Sequence, residues 1–328
     1  NKKTLETMAV IKTLDFIAKA GLLALAFCYT TLYTALWVDI FNLLTPFVLF
    51  YNAATLCVLA YFLIRKEWRY SLISTILFTL FSLQALNWSY FSPRASYIEP
   101  VISVTGYNQL RLNKDLSGFF DDHHAKNSEL LIIQEANGVT KKHAQSIKGQ
   151  FPHQHHILGL RSKSLSIISK LHFTDLIKTR ISETDPEQNF ILEFTIPSKN
   201  DLKVYVLHTK APLPLHRISE RNTEIERLAS RIKEFKEEHP TRNYIFIGDL
   251  NITPYNPHYK RLLKQSDLHI PISKPIHLFT WPNFVPELLR IQIDHILLSE
   301  GLYSDHVEVL PAHGSDHHPI YTSISLRR

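Results

Sequence analysis

Residues 243–251 read NYIFIGDLN. Tyr244 to Ile247 form an aromatic and β-branched run that is closed by a glycine, a carboxylate and an amide. A short, continuous apolar run bounded by turn residues predicts a strand buried on both faces, as in the inner strands of α/β folds. An aspartate at the end of a strand is ordinarily a turn residue or a helix cap, so Asp249 and Asn251 alone identify nothing. The pattern repeats outward in both directions, however. Asn108 follows VISVTGY, Glu135 follows LLIIQ, His208 follows VYVL, and Asp294 interrupts IQIDHIL. Near the end of the chain, Ala312 to Ile320 read AHGSDHHPI, which puts Asp316, His317 and His318 in one turn. So many polar side chains at strand ends are not independent caps. Strand ends are where α/β folds assemble sites, because the loops vary while the strands hold geometry.

Beyond Pro93, nine runs fit strands: EPVISVTGY, ELLIIQE, SLSIISK, NFILEFTI, LKVYVLHT, NYIFIGDL, IQIDHILLS, DHVEVL and PIYTSISL. Ile218, Ile225, Leu228, Ile232 and Phe235 share one helical face and predict an amphipathic helix from about Ile218 to Phe235. This mixture predicts an α/β domain over residues 93–328, with two packed sheets flanked by helices.

The first 92 residues differ in kind. They contain no histidine, whereas all 18 histidines lie after residue 122. They carry 7 Lys+Arg against 4 Asp+Glu, and the remainder carries 29 against 26. That mildly basic balance gives little support to a polyanionic partner. Cys28 and Cys57 are the only cysteines, which excludes a disulfide framework for the C-terminal region.

Three apolar stretches, Ala20 to Val38, Ile40 to Ile64 and Ser71 to Phe91, approach or exceed the roughly 20 residues needed to cross a bilayer as a helix. Pro46 and Asn52 fall within the second; Trp88 and Tyr90 close the third where an interfacial aromatic belt is expected. Lys2, Lys3, Lys12 and Lys19 precede the first, and Arg65, Lys66 and Arg69 join the second to the third. The positive-inside rule then places the N-terminus and that loop in the cytoplasm. The expectation is a multi-pass membrane anchor, residues 1–92, with the α/β domain extracytoplasmic, or periplasmic in a Gram-negative cell.

Carboxylate and amide oxygens without cysteine suit a hard cation, Mg2+ or Mn2+. Histidines with carboxylate partners supply acid/base function or stabilise phosphoryl oxygens. Together they point to metal-assisted hydrolysis of a phosphate ester. The segments TGYNQL, LLIIQEANG, SLSIISK, VLHTKAP, IFIGDLNITP, IDHILLS and GSDHHPI, in that order, resemble the endonuclease/exonuclease/phosphatase superfamily of DNase I-like enzymes. GDLNITPYNPHYKRLL and FTWP, behind the apolar segments, resemble a membrane-anchored bacterial branch with three transmembrane helices. The resemblance implies a four-layer α/β sandwich and an enzyme acting on a phosphate ester, either nucleic acid or a lipid headgroup.

It also implies roles. Glu135 matches the principal metal ligand, Asn108 the amide that helps fix the metal, and Asp316 an acid near it. His208 matches the phosphate-contacting histidine. Asp249 matches the carboxylate that orients or deprotonates water, and Asn251 a neighbour holding a phosphate oxygen. Asp294 matches the carboxylate orienting the motif histidine, His317, while His318 belongs to the following strand. Asp249 and His317 both remain candidates for the base. Arg221 and Trp281 are candidate substrate contacts, with surface charge and core packing as their plainer readings.

His123, His124, His153, His155 and His156 lack the spacing of common zinc sites. The leading expectation is a nuclease-like phosphodiesterase, against a phospholipid or sphingolipid phosphodiesterase or phosphatase, and against a catalytically silent binding module.

Overall fold

In the computed structural model of the chain, residues 2–86, 100–159, 163–181, 189–271, 278–304 and 306–327 are described. The chain divides into two compact units, Asn1–Asn87 with Tyr255–Pro257, and Trp88–Pro254 with His258–Arg328. Trp88, Tyr90 and the expected boundary at residue 93 lie outside the described residues.

The first unit contains α1 (Lys2–Thr34), α2 (Val48–Ile64) and α3 (Trp68–Leu86), with short 3-10 turns at Asp39–Leu43 and Thr45–Phe47. Two helical stretches, Asp39–Ile64 and Trp68–Leu86, are long and apolar enough to cross a membrane, where three were expected. The first expected run, Ala20 to Val38, is helical only as far as Thr34, where α1 ends, and the last turns of α1 carry Tyr29, Thr30, Thr31, Tyr33 and Thr34. Threonines there turn their hydroxyls back on the helix, as Thr31 Oγ1 does to the Cys28 carbonyl at 2.7 Å. Between α2 and α3, Ser82 Oγ donates to Asn52 Oδ1 at 3.2 Å, and the Phe62 and Tyr70 rings stack at 5.0 Å. Small hydroxyl and amide side chains commonly join helices in an apolar setting this way.

The second unit is built on two mixed sheets. Its strands are β1 (Pro100–Asn108), β2 (Leu130–Gln134), β3 (His153–Ile157), β4 (Leu165–Ser169), β5 (Thr174–Arg180), β6 (Phe190–Ile196), β7 (Leu202–Val206), β8 (Tyr244–Asp249), β9 (Leu268–His269), β10 (Asp294–Ser299), β11 (Leu302–Tyr303), β12 (Val307–Val309) and β13 (Ile320–Leu326). One sheet runs β11-β13-β1-β2-β4-β3, with β12 also on β13; the other runs β5-β6-β7-β8-β10-β9. Each has one parallel pair near its centre, β1 with β2 and β7 with β8, and antiparallel neighbours elsewhere.

The period of two in a strand explains how apolar runs fill three cores at once. Leu130 and Ile132 of β2 face Ile245 and Ile247 of β8 in the core between the sheets. Leu131 and Ile133 turn outward onto Phe119, Phe120, Ala125 and Ala144, which come from α4 (Ser117–Asp121), α5 (His123–Asn127) and α6 (Gly138–Ser146). On the other sheet, Tyr244 and Phe246 pack against Ile225, Leu228, Ile232 and Phe235 of α7 (Arg217–Glu238) and Tyr259 and Leu262 of α8 (Pro257–Ser266). The two sheets are therefore flanked by helices on their outer faces, and α7 contains the helix expected from the sequence.

Gly248 is required where the sheets meet. A Cβ there would lie 2.1 Å from the Leu207 carbonyl oxygen, so no side chain fits without moving backbone.

Candidate active site

The parallel pairs put the carboxyl ends of β1, β2, β7 and β8 at one end of the unit. Asn108 is in register with Gln134, and Val206 with Ile247. The antiparallel neighbour β10 enters at that same end, with Asp294 opposite Asp249. The turn before β13 arrives there too, since Ser315 Oγ donates to the Asn108 carbonyl at 2.7 Å. Polar residues far apart in sequence thus converge because strand polarity brings their ends together.

They line a cavity of about 290 Å³ that includes Asn108, Glu135, His208, Asp249, Asn251, Trp281, Asp316 and His317. Asp294 stands behind His317, its Oδ2 3.0 Å and Oδ1 3.3 Å from His317 Nδ1. On the other side of the ring, His317 Nε2 is 3.9 Å from Asp249 Oδ2. Asp249 Oδ2 also accepts from Asn108 Nδ2 at 3.1 Å and lies 3.5 Å from His208 Nε2; its Oδ1 accepts the Asn251 N–H at 2.8 Å. Asn108 Nδ2 is 3.4 Å from Glu135 Oε1, so one amide sits between two carboxylates.

Glu135 and Asn251 both have left-handed backbone, φ 56° and 49°. For residues other than glycine this conformation costs about 1–3 kcal/mol and persists where the surroundings enforce it. At Glu135 the surroundings are Gln109 Nε2, donating to its carbonyl at 2.9 Å, and the Arg111 N–H, donating to Oε2 at 3.0 Å. At Asn251 they are Arg221 Nη1, donating to its carbonyl at 3.0 Å, and the Thr209 carbonyl, which accepts from Nδ2 at 3.2 Å.

Burial and the nearby Asp294 carboxylate push the Asp249 carboxyl up to about 7, against the pull of His317 and the Asn251 N–H. Burial works to lower His317, but Asp294, then Asp249 and Asp316, outweigh it and hold the imidazole at about 10. The site at neutral pH therefore pairs an imidazolium with a carboxyl that titrates near neutrality.

Asp249, Asp294 and His317 are all buried and present atoms within 4.8 Å of one another. His317 is already committed between the two carboxylates, so these groups neutralise each other. The less committed oxygen donors are Glu135 and Asp316. Asp316 Oδ2 accepts from Trp281 Nε1 at 3.1 Å, whereas its Oδ1 is buried with no hydrogen-bond partner among the described residues. A buried carboxylate oxygen left unpaired is costly. With Glu135 lining the same cavity, these carboxylate oxygens fit a hard divalent cation, while Asn108 turns its Nδ2 to the carboxylates and its Oδ1 to the Leu110 N–H.

Residues 107–317, from the residue before Asn108 to His317, match the model of the Endonuclease/Exonuclease/phosphatase family. The chain belongs to that family. No curated protein sequence matches it significantly. Among solved structures, it is similar to D. rerio TDP2 complexed with a single-strand DNA product, at 15% identity over 68% of this chain and 98% of that one, TM-score 0.55. Sphingomyelinase C from Streptomyces griseocarneus is 12% identical over 68% of this chain and 98% of its own, TM-score 0.51. A mutant beta toxin from Staphylococcus aureus with bound magnesium ions is 17% identical over 68% and 99%, TM-score 0.50. At these identities the likeness is one of fold, and within the family the chemistry rests on this chain's own side chains.

Arg221 does not line the cavity. It is 2% exposed and binds the Asn251 carbonyl and Asn222 Oδ1, which makes it a prop for the GDLN turn rather than a surface charge or an open phosphate contact. Trp281 does line it, with its ring 6.4 Å from that of His317. His318 lies outside the cavity lining, just before β13, and is held by the Leu310 carbonyl at 2.7 Å and Arg290 Nη1 at 2.8 Å. His295 is buried, its Nε2 2.9 Å from the Ile252 carbonyl. None of His123, His124, His153, His155 and His156 belongs to a potential ion-holding group among the described residues.

Two site features escaped the sequence. Gln134 joins the sheets beneath the cavity: its Nε2 donates to the Leu207 carbonyl at 2.9 Å and its Oε1 accepts the Asp249 N–H at 3.0 Å. Removing it would strand two buried backbone groups, at about 1–3 kcal/mol each. The only sequence signal was an amide ending an otherwise apolar strand. Lys163, in a polar loop, lines the cavity and donates to the His208 carbonyl at 2.5 Å; burial lowers its ammonium to about 8.

Proposed function

We propose that the chain is a divalent-metal-dependent phosphodiesterase, held at a membrane by its N-terminal helices with the catalytic unit outside the cytoplasm. The carrying observation is the buried line Asp294–His317–Asp249 in one cavity with the Glu135 carboxylate and with Asp316, whose buried Oδ1 has no hydrogen-bond partner among the described residues. The membrane part is supported by the two apolar stretches; the side rests on Ala20 to Val38 crossing as well, because the basic residues before it and those between Ile64 and Ser71 share the cytoplasmic face only after two crossings, and Ser71 onward then makes the third.

Glu135 and Asp316, with Asn108 beside them, would hold Mg2+ or Mn2+, which when bound polarises a phosphoryl oxygen and offsets negative charge. Asp249 takes the proton from the attacking water, a task suited to a carboxylate whose proton affinity is raised towards neutrality. The water oxygen bonds to phosphorus, and the bond to the leaving oxygen breaks. His317, kept protonated by Asp294, donates to the oxygen on which charge develops. His208 faces Asp249 across the cavity and protonates the leaving oxygen. Asn251 steadies a phosphoryl oxygen from the turn that Arg221 props.

The Asp294 pairing gives a sharp comparison between adjacent histidines. Asp294→Asn should cut kcat by about 100-fold or more, because the imidazole loses the partner that fixes its tautomer and charge. His318→Ala, outside the cavity, should leave kcat within about three-fold. Steady-state hydrolysis of a soluble diester by the two variants checks this, and equal effects would remove the assigned relay.

A further inference from the structure

Large apolar side chains exposed on the second unit are not scattered over it. Among its described residues there are nine, and six of them sit on three loops that leave the site. Leu112, 78% exposed, follows β1; Leu213 and Leu215 follow His208; Phe284 at 78%, Leu288 at 80% and Leu289 lie between Trp281 and β10. Each loop is fastened to the site. The Arg111 N–H donates to Glu135 Oε2, the Thr209 N–H to the Asp249 carbonyl at 3.0 Å, and the Asn283 N–H to the Asp316 carbonyl at 2.8 Å.

Leu158 and Val309 belong to the same end. Leu158 follows β3, whose Ile157 pairs with Leu165 opposite Gln134, and Val309 pairs with Ile320 at the start of β13. Only Ile177, on edge strand β5, lies elsewhere. Single exposed leucines are ordinary, but their concentration around one polar cavity marks an interaction surface.

Exposed Lys114, His216 and Arg217 stand among these side chains in sequence, against exposed Asp115 and Glu287. Apolar tips on separate loops among exposed charges of both signs match the headgroup layer of a bilayer better than a protein groove. The chain also carries two stretches apolar enough to cross a membrane, and tethering raises the concentration of the catalytic unit at a bilayer.

We propose that this rim inserts into the headgroup layer of a phospholipid bilayer, so that the diester reaching the cavity is a phospholipid headgroup; this substrate class rests on the phosphodiesterase reading above. A polar cavity ringed by inserted apolar tips accepts headgroup phosphate while the acyl chains stay in the bilayer.

The test uses the full chain reconstituted in phosphatidylcholine–phosphatidylglycerol vesicles. Nitroxides are attached at Leu112→Cys, Leu288→Cys and the control Ile177→Cys, each with Cys28→Ser and Cys57→Ser. Labels at 112 and 288 should be shielded from a water-soluble nickel chelate and open to oxygen, while the label at 177 stays open to nickel. Equal nickel access at all three positions overturns the proposal, as does shielding of 112 and 288 by single-stranded DNA in lipid-free detergent solution but not by vesicles. In the activity arm, the double variant Phe284→Asp, Leu288→Asp should lose about ten-fold or more of vesicle phospholipid turnover while keeping bis(p-nitrophenyl) phosphate hydrolysis within about two-fold. Equal loss on both substrates, or none on vesicles, overturns it. If the wild type cleaves no soluble diester yet the labels are lipid-shielded, the phosphodiesterase reading fails and the bilayer surface stands.

Discussion

His317→Ala is expected to lower kcat on any phosphodiester by about 100- to 10,000-fold without loss of the fold. The ring is buried between Asp294 and Asp249, and its charge, not its packing, is its main contribution to the site. The pH profile gives the same account a second check. A group whose folded pKa is raised is protonated below that value and loses its proton above it. His317 is held at about 10, so wild-type activity should persist through mildly alkaline pH and decline as pH rises towards that value. In Asp294→Asn the partner charge is gone and the alkaline limb should move to lower pH. A profile unchanged by Asp294→Asn would show that another group carries the limb.

Glu135→Ala has the second large effect. Its carboxylate stands at the end of β2 on a left-handed backbone fixed by Gln109 and Arg111, an arrangement that presents both oxygens at a defined place. Losing a carboxylate from a hard-cation site removes charge that water does not replace. The expected outcome is an activity loss of about 100-fold or more at millimolar Mg2+, partly recovered at higher metal concentration, with thermal unfolding nearly unchanged in metal-free buffer. Full activity at unchanged metal dependence would remove Glu135 from the metal site.

The strand-end residues singled out in the sequence meet at one end of the fold for a physical reason. The inner strands are mostly apolar until they reach the cavity, so Asn108 after Tyr107, Gln134 and Glu135 after Ile133, His208 after Leu207 and Asp249 after Gly248 mark their ends. All nine expected runs contain strands, whereas four observed strands were not anticipated: β3, β5, β9 and β11. These are the four sheet edges. An edge strand is covered on fewer sides and tolerates HQHHI or TDLIKTR, which carry no apolar run.

The site was less legible. Convergence of Asn108, Glu135, Asp249, Asp294 and His317 depends on which strands run parallel, and spacing along the chain does not encode that. The Asp294–His317 pairing came from family resemblance. Arg221 is buried against the Asn251 carbonyl, and an arginine on an amphipathic helix gives no sign that the GDLN turn will cover it. The first apolar stretch, Ala20 to Val38, outruns its helix, which ends at Thr34, so two of the three expected spans are helical stretches long and apolar enough to cross a membrane.

The most direct measurement is the rate of bis(p-nitrophenyl) phosphate hydrolysis by the purified full chain in detergent, titrated with Mg2+ and Mn2+ and then with EDTA. A metal-saturable rate that EDTA abolishes and added metal restores, absent from His317→Ala and depressed in Glu135→Ala, is the predicted result. Hydrolysis indifferent to EDTA, or none with either ion, would contradict a metal-dependent phosphodiesterase built on these strand ends.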